Sequence, residues 1–175
     1  MISLIYVFWM FVFVFGVIGW LRGWAKELLV AFAVVVALTF NFLLRRFAPV
    51  LNTLPENNIT LFWIRVLILG TVVYFGYQTV ISVARLQAGS RKERLQDALF
   101  GIILGGFNGY LVAGSVWYYL DRAGYPFPNA ITFPQGELAT KIAAMMIYMP
   151  PHVLGEPAIY FASVIVLIFI LVVYV

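Results

Sequence analysis

Long apolar runs constrain the fold of this chain more than any other feature of the sequence. A helix of about 20 apolar residues crosses the roughly 30 Å of hydrocarbon in a bilayer. We identify five such runs, at residues 2–21, 27–44, 61–84, 98–120 and 157–175. The chain is 64% hydrophobic and 10% charged, whereas an average soluble domain is about 25% charged. The sequence therefore predicts an all-α polytopic integral membrane protein, a single transmembrane domain over residues 1–175 with about five membrane-spanning helices.

One amphipathic helix is predicted outside the membrane, in the loop formed by residues 121–156. Its apolar residues recur at the i, i+4, i+7, i+8 spacing of one helix face: Leu138, Ile142, Met145, Met146 and Met149. Glu137 and Lys141 are spaced for an i, i+4 ion pair on the other face. We expect this helix to lie on the outer leaflet or against a partner protein.

The positions of lysine and arginine predict the orientation of the chain. The segments after the first and third runs hold six of them: Arg22, Lys26, Arg85, Arg91, Lys92 and Arg94. The segments after the second and fourth runs hold four: Arg45, Arg46, Arg122 and Lys141. Because cytoplasmic loops carry the excess of positive residues, we expect the N-terminus outside and the C-terminus in the cytoplasm. The net charge of +4 thus reflects topology, and no nucleic-acid partner is expected.

The stretch FGVIGWLRGWAKELL places charges and glycines between the first two runs. We interpret it as a tight cytoplasmic turn, in which Gly19 and Gly23 let the backbone bend and the helices approach. Arg22 and Lys26 fix the sense of insertion. Glu27 lies in the first turn of the second helix, where an acid complements the helix dipole. A binding role for Arg22 or Glu27 is the alternative.

The stretch DALFGIILGGFNGYLVAG places a small residue at every fourth position of the fourth run. Gly101, Gly105 and Gly109 share one helix face, which predicts a smooth groove for packing against another helix. Asp97 is expected to cap the N-terminus of this helix on the cytoplasmic side. A groove for a lipid, a quinone or another flat ligand is the alternative.

Together the two stretches resemble the CvpA family, the colicin V production proteins of bacterial inner membranes. That family shows a G-x-x-R-G motif, matched here by Gly19, Arg22 and Gly23. An acidic residue follows four positions later, as Glu27 does here. The fourth span of the family begins with an acidic cap, here Asp97, followed by glycines at every fourth residue. The resemblance implies a bacterial inner-membrane protein linked to colicin V production and envelope integrity, without an agreed reaction.

Two features depart from the family pattern. Asn108 stands where the family often has an arginine before the last glycine of the fourth span. The fifth run, residues 157–175, is additional, because such proteins usually end after four spans and a tail. An extra apolar helix needs protein or lipid neighbours, which suggests an altered set of partners.

Arg65 is the one charged residue placed well inside a run. Its long side chain can extend to the interface; a pair with Asn41, at a similar depth in the second run, or a lipid phosphate is the alternative. We group Arg65, Asn41 and Asn108 as candidate contacts to lipid or to a partner. Since no aspartate or glutamate lies in the middle of a run, a proton-coupled transporter is not favoured.

Residues suited to catalysis are few. The chain has no cysteine and one histidine, His152, which we interpret as an interfacial loop residue; a pH-sensitive contact or a proton acceptor for quinol is the alternative. We therefore name no catalytic, cofactor-binding or metal-ligating residue and expect no intrinsic cofactor. A lipid, quinone or pigment shared with a partner is compatible with 16 Phe, 10 Tyr and 5 Trp, since aromatic rings offer large contact areas.

These observations favour a non-catalytic membrane scaffold or accessory subunit of a larger secretion, envelope or electron-transport complex. Its expected partners are membrane lipids and other membrane-protein subunits. An autonomous CvpA-like homo-oligomer that aids export or forms a small pore is the alternative. An enzyme or redox subunit is the least favoured reading, because the residue types it needs are scarce.

Overall fold

The computed structural model describes residues 4–78, 91–127, 131 and 134–174, without the side chains of residues 91–93, 173 and 174. Eight helices are present in these ranges: α1 Leu4–Arg22, α2 Trp24–Phe47, α3 Pro49–Asn52, α4 Ile59–Gln78, α5 Arg91–Arg122, α6 Gly136–Met146, α7 Pro150–Val153 and α8 Ala158–Tyr174. The described residues contain no strand. The all-α architecture predicted from the sequence is therefore confirmed.

Four of the helices are long and apolar enough to cross a membrane: α1, α2, α4 and the part of α5 from Arg94 to Arg122. They correspond to the first four apolar runs, although residues 79–84 of the third run lie outside the described residues. The fifth run forms α8, whose apolar stretch Ala158–Val172 is shorter. The chain is thus a polytopic membrane protein, while a fifth crossing by α8 stays a prediction.

The chain divides into two compact units. The first unit comprises Met1–Val34 and Thr71–Ala113, and the second comprises Val35–Gly70 and Gly114–Val175. Helices α2, α4 and α5 each contribute residues to both units. The single domain over residues 1–175 stays a prediction.

In the first unit, a single glycine joins α1 to α2. Gly23 has a φ of +82°, a left-handed conformation that costs glycine little and other residues considerably more. Its N–H donates to the carbonyl of Gly19 at 2.9 Å, which closes the last turn of α1. The apolar core of this unit includes Val30 and Val34 of α2, both fully buried.

In the second unit, the amphipathic helix packs part of its apolar face inward, while Leu138 of that face is 40% exposed. Ile142 and Met146 of α6 and the following Met149 are buried, while Lys141 and Glu137 pair at 2.8 Å on the exposed face. The helix ends at Met146, three residues earlier than the apolar pattern. Pro150 then starts the short helix α7, consistent with the preference of proline for the first helical turn.

Helix α8 is joined to α2 by polar and aromatic contacts within the second unit. The hydroxyl oxygens of Thr39 and Ser163 lie 2.7 Å apart. The rings of Phe42 and Tyr160 meet edge to face, with centroids 5.8 Å apart. Ile159, 1% exposed, anchors the start of α8 in the core. Most large side chains further along α8 are exposed, as expected of a helix that faces lipid or another protein.

Candidate functional site

The first unit contains a fully buried carboxylate, that of Glu27. Its Oε1 pairs with Arg22 Nη1 at 2.8 Å. Its Oε2 accepts a hydrogen bond from Asn108 Nδ2 at 2.7 Å and lies 3.5 Å from the Tyr77 hydroxyl, which donates to it. A buried charge is costly unless it is paired and hydrogen-bonded, and these donors come from α1, α5 and α4. We call these four residues the Glu27 cluster.

The members of the Glu27 cluster also bind one another's backbone. Arg22 Nη2 donates to the Tyr77 carbonyl at 3.0 Å, and its guanidinium carbon lies 4.3 Å from the centroid of the Tyr77 ring. Asn108 Nδ2 donates to the Glu27 carbonyl at 2.8 Å. Asn108 Oδ1 is buried without a hydrogen-bond partner among the described residues. The cluster therefore connects four helices through one carboxylate, which is an arrangement suited to holding structure.

Glycines allow α1 and α5 to touch beside this cluster. A Cβ placed on Gly105 would lie 2.9 Å from the Cα of Gly19, and one on Gly109 would lie 2.8 Å from the Cα of Val12. A Cβ on Gly101 would collide with the carbonyl oxygen of Gly19. Because these neighbours are backbone atoms, a larger side chain could fit only if the helices moved apart. The groove proposed from glycine spacing is thus occupied by α1.

Asp97 lies inside α5 and does not cap it, so that prediction is wrong. The described part of the helix already includes Arg91, and the charged residues before the apolar run are good helix formers that continue it. The Oδ1 atom of Asp97 accepts a hydrogen bond from the backbone N–H of Trp24 at 3.1 Å. Asp97 therefore caps α2, whose first N–H groups have no partner within their own helix. Gly23 is needed here, since a Cβ would lie 2.5 Å from Asp97 Oδ2.

The sequence-derived residues of the first unit are only partly brought together. Arg22, Glu27 and Asn108 meet in the cluster. Lys26, half-buried, makes no ion pair among the described residues. Tyr77 was missed by the sequence analysis, because a tyrosine at the end of an apolar run reads as an ordinary interfacial aromatic.

The second unit holds an ion cluster of a different kind, centred on Glu56. Arg65 Nη1 lies 2.8 Å from Glu56 Oε2, and Arg45 Nη2 lies 3.2 Å from Glu56 Oε1. The Glu56 side chain is 48% exposed. Partial burial alone would raise the pKa of Glu56, but the hydrogen bond and charge of Arg65, with the charges of Arg45 and Arg122, hold that pKa below its usual value.

The partner of the Arg65 guanidinium is Glu56, which the sequence pattern does not indicate. Asn41 does contact Arg65, but through the backbone: Asn41 Nδ2 donates to the Arg65 carbonyl at 3.2 Å. The Arg65 guanidinium carbon also lies 5.3 Å from the centroid of the Tyr119 ring. Arg65 lies at the end of the second turn of α4, and its side chain reaches back toward the helix start, as a snorkelling side chain does.

A cavity of about 360 Å³ opens beside Glu56. Charged, amide and hydroxyl side chains form the polar part of its lining: Asn41, Arg45, Glu56, Arg65, Tyr118, Tyr119 and Arg122. Leu38, Phe42 and Leu154 are among its apolar lining residues. His152 lies exposed on the short helix α7. Among the described residues, no group of three or more His, Cys, Asp or Glu side chains could hold a metal ion.

The helices and their paired polar residues define a class: this is a multi-pass helical membrane protein. The sequence pattern of one protein family, described as Colicin V production protein, matches residues 5–146 of this chain. The chain therefore belongs to the colicin V production (CvpA) family, and the resemblance drawn from the glycine motifs is confirmed. No curated protein and no solved structure matches the chain.

Proposed function

We propose that this protein is a non-catalytic scaffold, an accessory subunit held in a larger secretion, envelope or electron-transport complex. The observation that carries the proposal is an exposed stripe along the whole of α1. Its members share one helix face and are 48–73% exposed: Tyr6, Trp9, Phe13, Val17 and Trp20. Large rigid rings at this density suit a protein neighbour, because they bury much area at little entropic cost.

The polar residues support a structural role over a catalytic one. The Glu27 carboxylate is fully buried and engaged by donors from three helices. A group used in this way has no access to a substrate. In the second unit, the buried side chain of Asn41 donates to the backbone carbonyl of Arg65.

The test is purification in a gentle detergent, followed by mass spectrometry of the chains that co-purify. Unlike subunits in stoichiometric amounts would support the accessory-subunit proposal. A homo-oligomer alone would favour the alternative, an autonomous CvpA-like assembly that aids export or forms a small pore. A stable monomer that retains no partner, pigment or quinone would contradict the accessory-subunit proposal.

Substitution of the α1 stripe makes this test specific. The first variant is Phe13→Leu, at a position that is 72% exposed. Leucine keeps the side chain apolar but removes the aromatic ring. We expect Phe13→Leu to lower partner recovery, because aromatic contacts add to area burial. The matched control is Phe100→Leu on α5, where the side chain is 59% exposed. Equal recovery in both variants would argue that α1 faces lipid tails only.

We further propose that the chain lies in the bacterial inner membrane with its N-terminus outside and its C-terminus in the cytoplasm. The excess of lysine and arginine after the first and third spans supports this orientation. Reporter fusions at residues 90 and 130 test it. We expect the first to report from the cytoplasm and the second from outside, and the reverse result would overturn the assignment.

A further inference from the structure

The cavity beside Glu56 has an unbalanced charge. Among the described residues that line it, three carry guanidinium groups, Arg45, Arg65 and Arg122, and one carries a carboxylate, Glu56. The three positive charges and one negative charge leave a net charge of +2. Positive charges held together with so little compensation repel one another, and an anion in the cavity would relieve this repulsion.

Arg122 is the arginine most available to such an anion. Glu56 already pairs with Arg65 and Arg45, and Arg45 also donates to the carbonyls of Leu51 and Leu54. Arg122, by contrast, is exposed and makes no ion pair among the described residues. Its guanidinium carbon lies 5.1 Å from the centroid of the Tyr118 ring, a stacking contact that orients the group and leaves its N–H donors available.

The cavity also has an apolar wall and lies near helix ends. Leu38 and Phe42 of α2 supply part of this wall. Arg122 is the last residue of α5, and Arg45 lies two residues before the end of α2. In a multi-pass membrane protein, spanning helices end at the level of the lipid headgroups. A volume of about 360 Å³ exceeds what a single phosphate needs and falls in the range of small-ligand pockets.

We propose that this cavity binds the phosphate of an anionic membrane lipid. Arg122 contacts the phosphate directly, and its planar donors suit that group. Arg65 and Arg45, held in place by Glu56, supply the surrounding positive field. The acyl chain leaves along Leu38 and Phe42. The site is independent of the α1 stripe, so it can exist whether or not the chain is a subunit of a larger complex.

Phosphate chemistry could also come from a free anion, and the experiment separates the two sources. The detergent-purified full chain is analysed by native mass spectrometry with dioleoyl-phosphatidylglycerol, with dioleoyl-phosphatidylcholine, or with inorganic phosphate. We expect at least one phosphatidylglycerol to be retained, in preference to phosphatidylcholine, and not to be displaced by inorganic phosphate. Equal retention of both lipids, or displacement by inorganic phosphate, would overturn the proposal.

Matched variants locate the bound lipid. Arg122→Gln should weaken phosphatidylglycerol retention about tenfold, the effect of losing one charge-assisted hydrogen-bonded contact. Arg122→Lys should fall between this variant and the wild type, because the charge stays and the planar donor pair is lost. Lys141→Gln removes one positive charge from an exposed residue outside the cavity and should bind as the wild type does.

Because Arg122 is exposed, its variants should unfold at the wild-type temperature in lipid-free detergent, which separates loss of binding from loss of fold. Unchanged phosphatidylglycerol retention in Arg122→Gln, or an equal loss in Lys141→Gln, would show that the cavity is not the lipid site.

Discussion

The two units each contain an arginine–glutamate pair with an N–O distance of 2.8 Å, yet the pairs differ in their surroundings. In the first unit, Glu27 is fully buried. In the second, the Glu56 side chain is 48% exposed. From distance alone, the two pairs would be expected to stabilise the protein equally. Burial makes the difference: a buried pair must have all its polar atoms hydrogen-bonded, whereas an exposed pair contributes little to stability.

The neighbours of each carboxylate follow from this difference. Glu27 accepts hydrogen bonds from two neutral donors, the Tyr77 hydroxyl and the Asn108 amide. Its one negative charge is balanced by the one positive charge of Arg22. Glu56 is shared by Arg45 and Arg65 beside an open cavity. The first arrangement uses its charges to fix helices in place. The second has positive charge left over for a ligand.

The largest expected effect comes from removing the buried carboxylate. Glu27→Ala should destabilise the protein by roughly 3 to 5 kcal/mol, because it removes the carboxylate that pairs with the Arg22 guanidinium and accepts from the Asn108 amide. Chemical unfolding in detergent, followed by tryptophan fluorescence, measures this free energy. Glu27→Gln should cost less, since an amide oxygen can still accept from Asn108.

Lys26→Ala is the control for this substitution. Lys26 neighbours Glu27 in sequence but makes no ion pair among the described residues, so its loss should leave stability within about 0.5 kcal/mol of the wild type. If Glu27→Ala unfolded no more easily than Lys26→Ala, the Glu27 cluster could not be the contact that holds the four helices together.

A smaller effect is expected from the glycine contact beside the Glu27 cluster. Gly105→Leu should cost about 1 to 3 kcal/mol, because the new side chain meets the backbone of α1 and forces the helices apart. The thermal midpoint in detergent measures the change. Gly70→Leu is the matched control, since Gly70 lies in α4 with no atom within 4 Å of an added Cβ. An unchanged midpoint for Gly105→Leu would contradict close α1–α5 packing.

Much of the helical framework could be predicted from the sequence, because it depends on local properties. Apolar runs of membrane-spanning length identify α1, α2, α4 and α5, and glycine spacing selects the face of α5 that packs closely. The α6 ion pair between Glu137 and Lys141 is likewise set by i, i+4 spacing.

The polar contacts could not be predicted in the same way, since they join residues far apart in the chain. Asp97 caps a helix that begins 73 residues earlier, and Asn108 binds a carboxylate 81 residues away. Local rules assigned Asp97 to its own helix because an acid before an apolar run is a common cap. Glu56, nine residues from Arg65, was overlooked because it lies in a loop outside the apolar runs.

The smallest expected effect comes from the exposed pair and appears mainly as a change in pH dependence. Arg65 and Arg45 hold the pKa of Glu56 below its usual value of 4.5. The stabilisation is therefore fully present above pH 4.5 and is lost as pH falls through the lower, folded-state pKa. Glu56→Gln should therefore cost at most about 1 kcal/mol at neutral pH, given solvent screening.

The free energy of unfolding, measured from pH 3 to 7, should fall less steeply toward acid pH for Glu56→Gln than for the wild type. Glu137→Gln, which removes an 81% exposed carboxylate that pairs with Lys141, should keep the wild-type slope. A cost for Glu56→Gln as large as that of Glu27→Ala would show that exposure does not separate the two pairs.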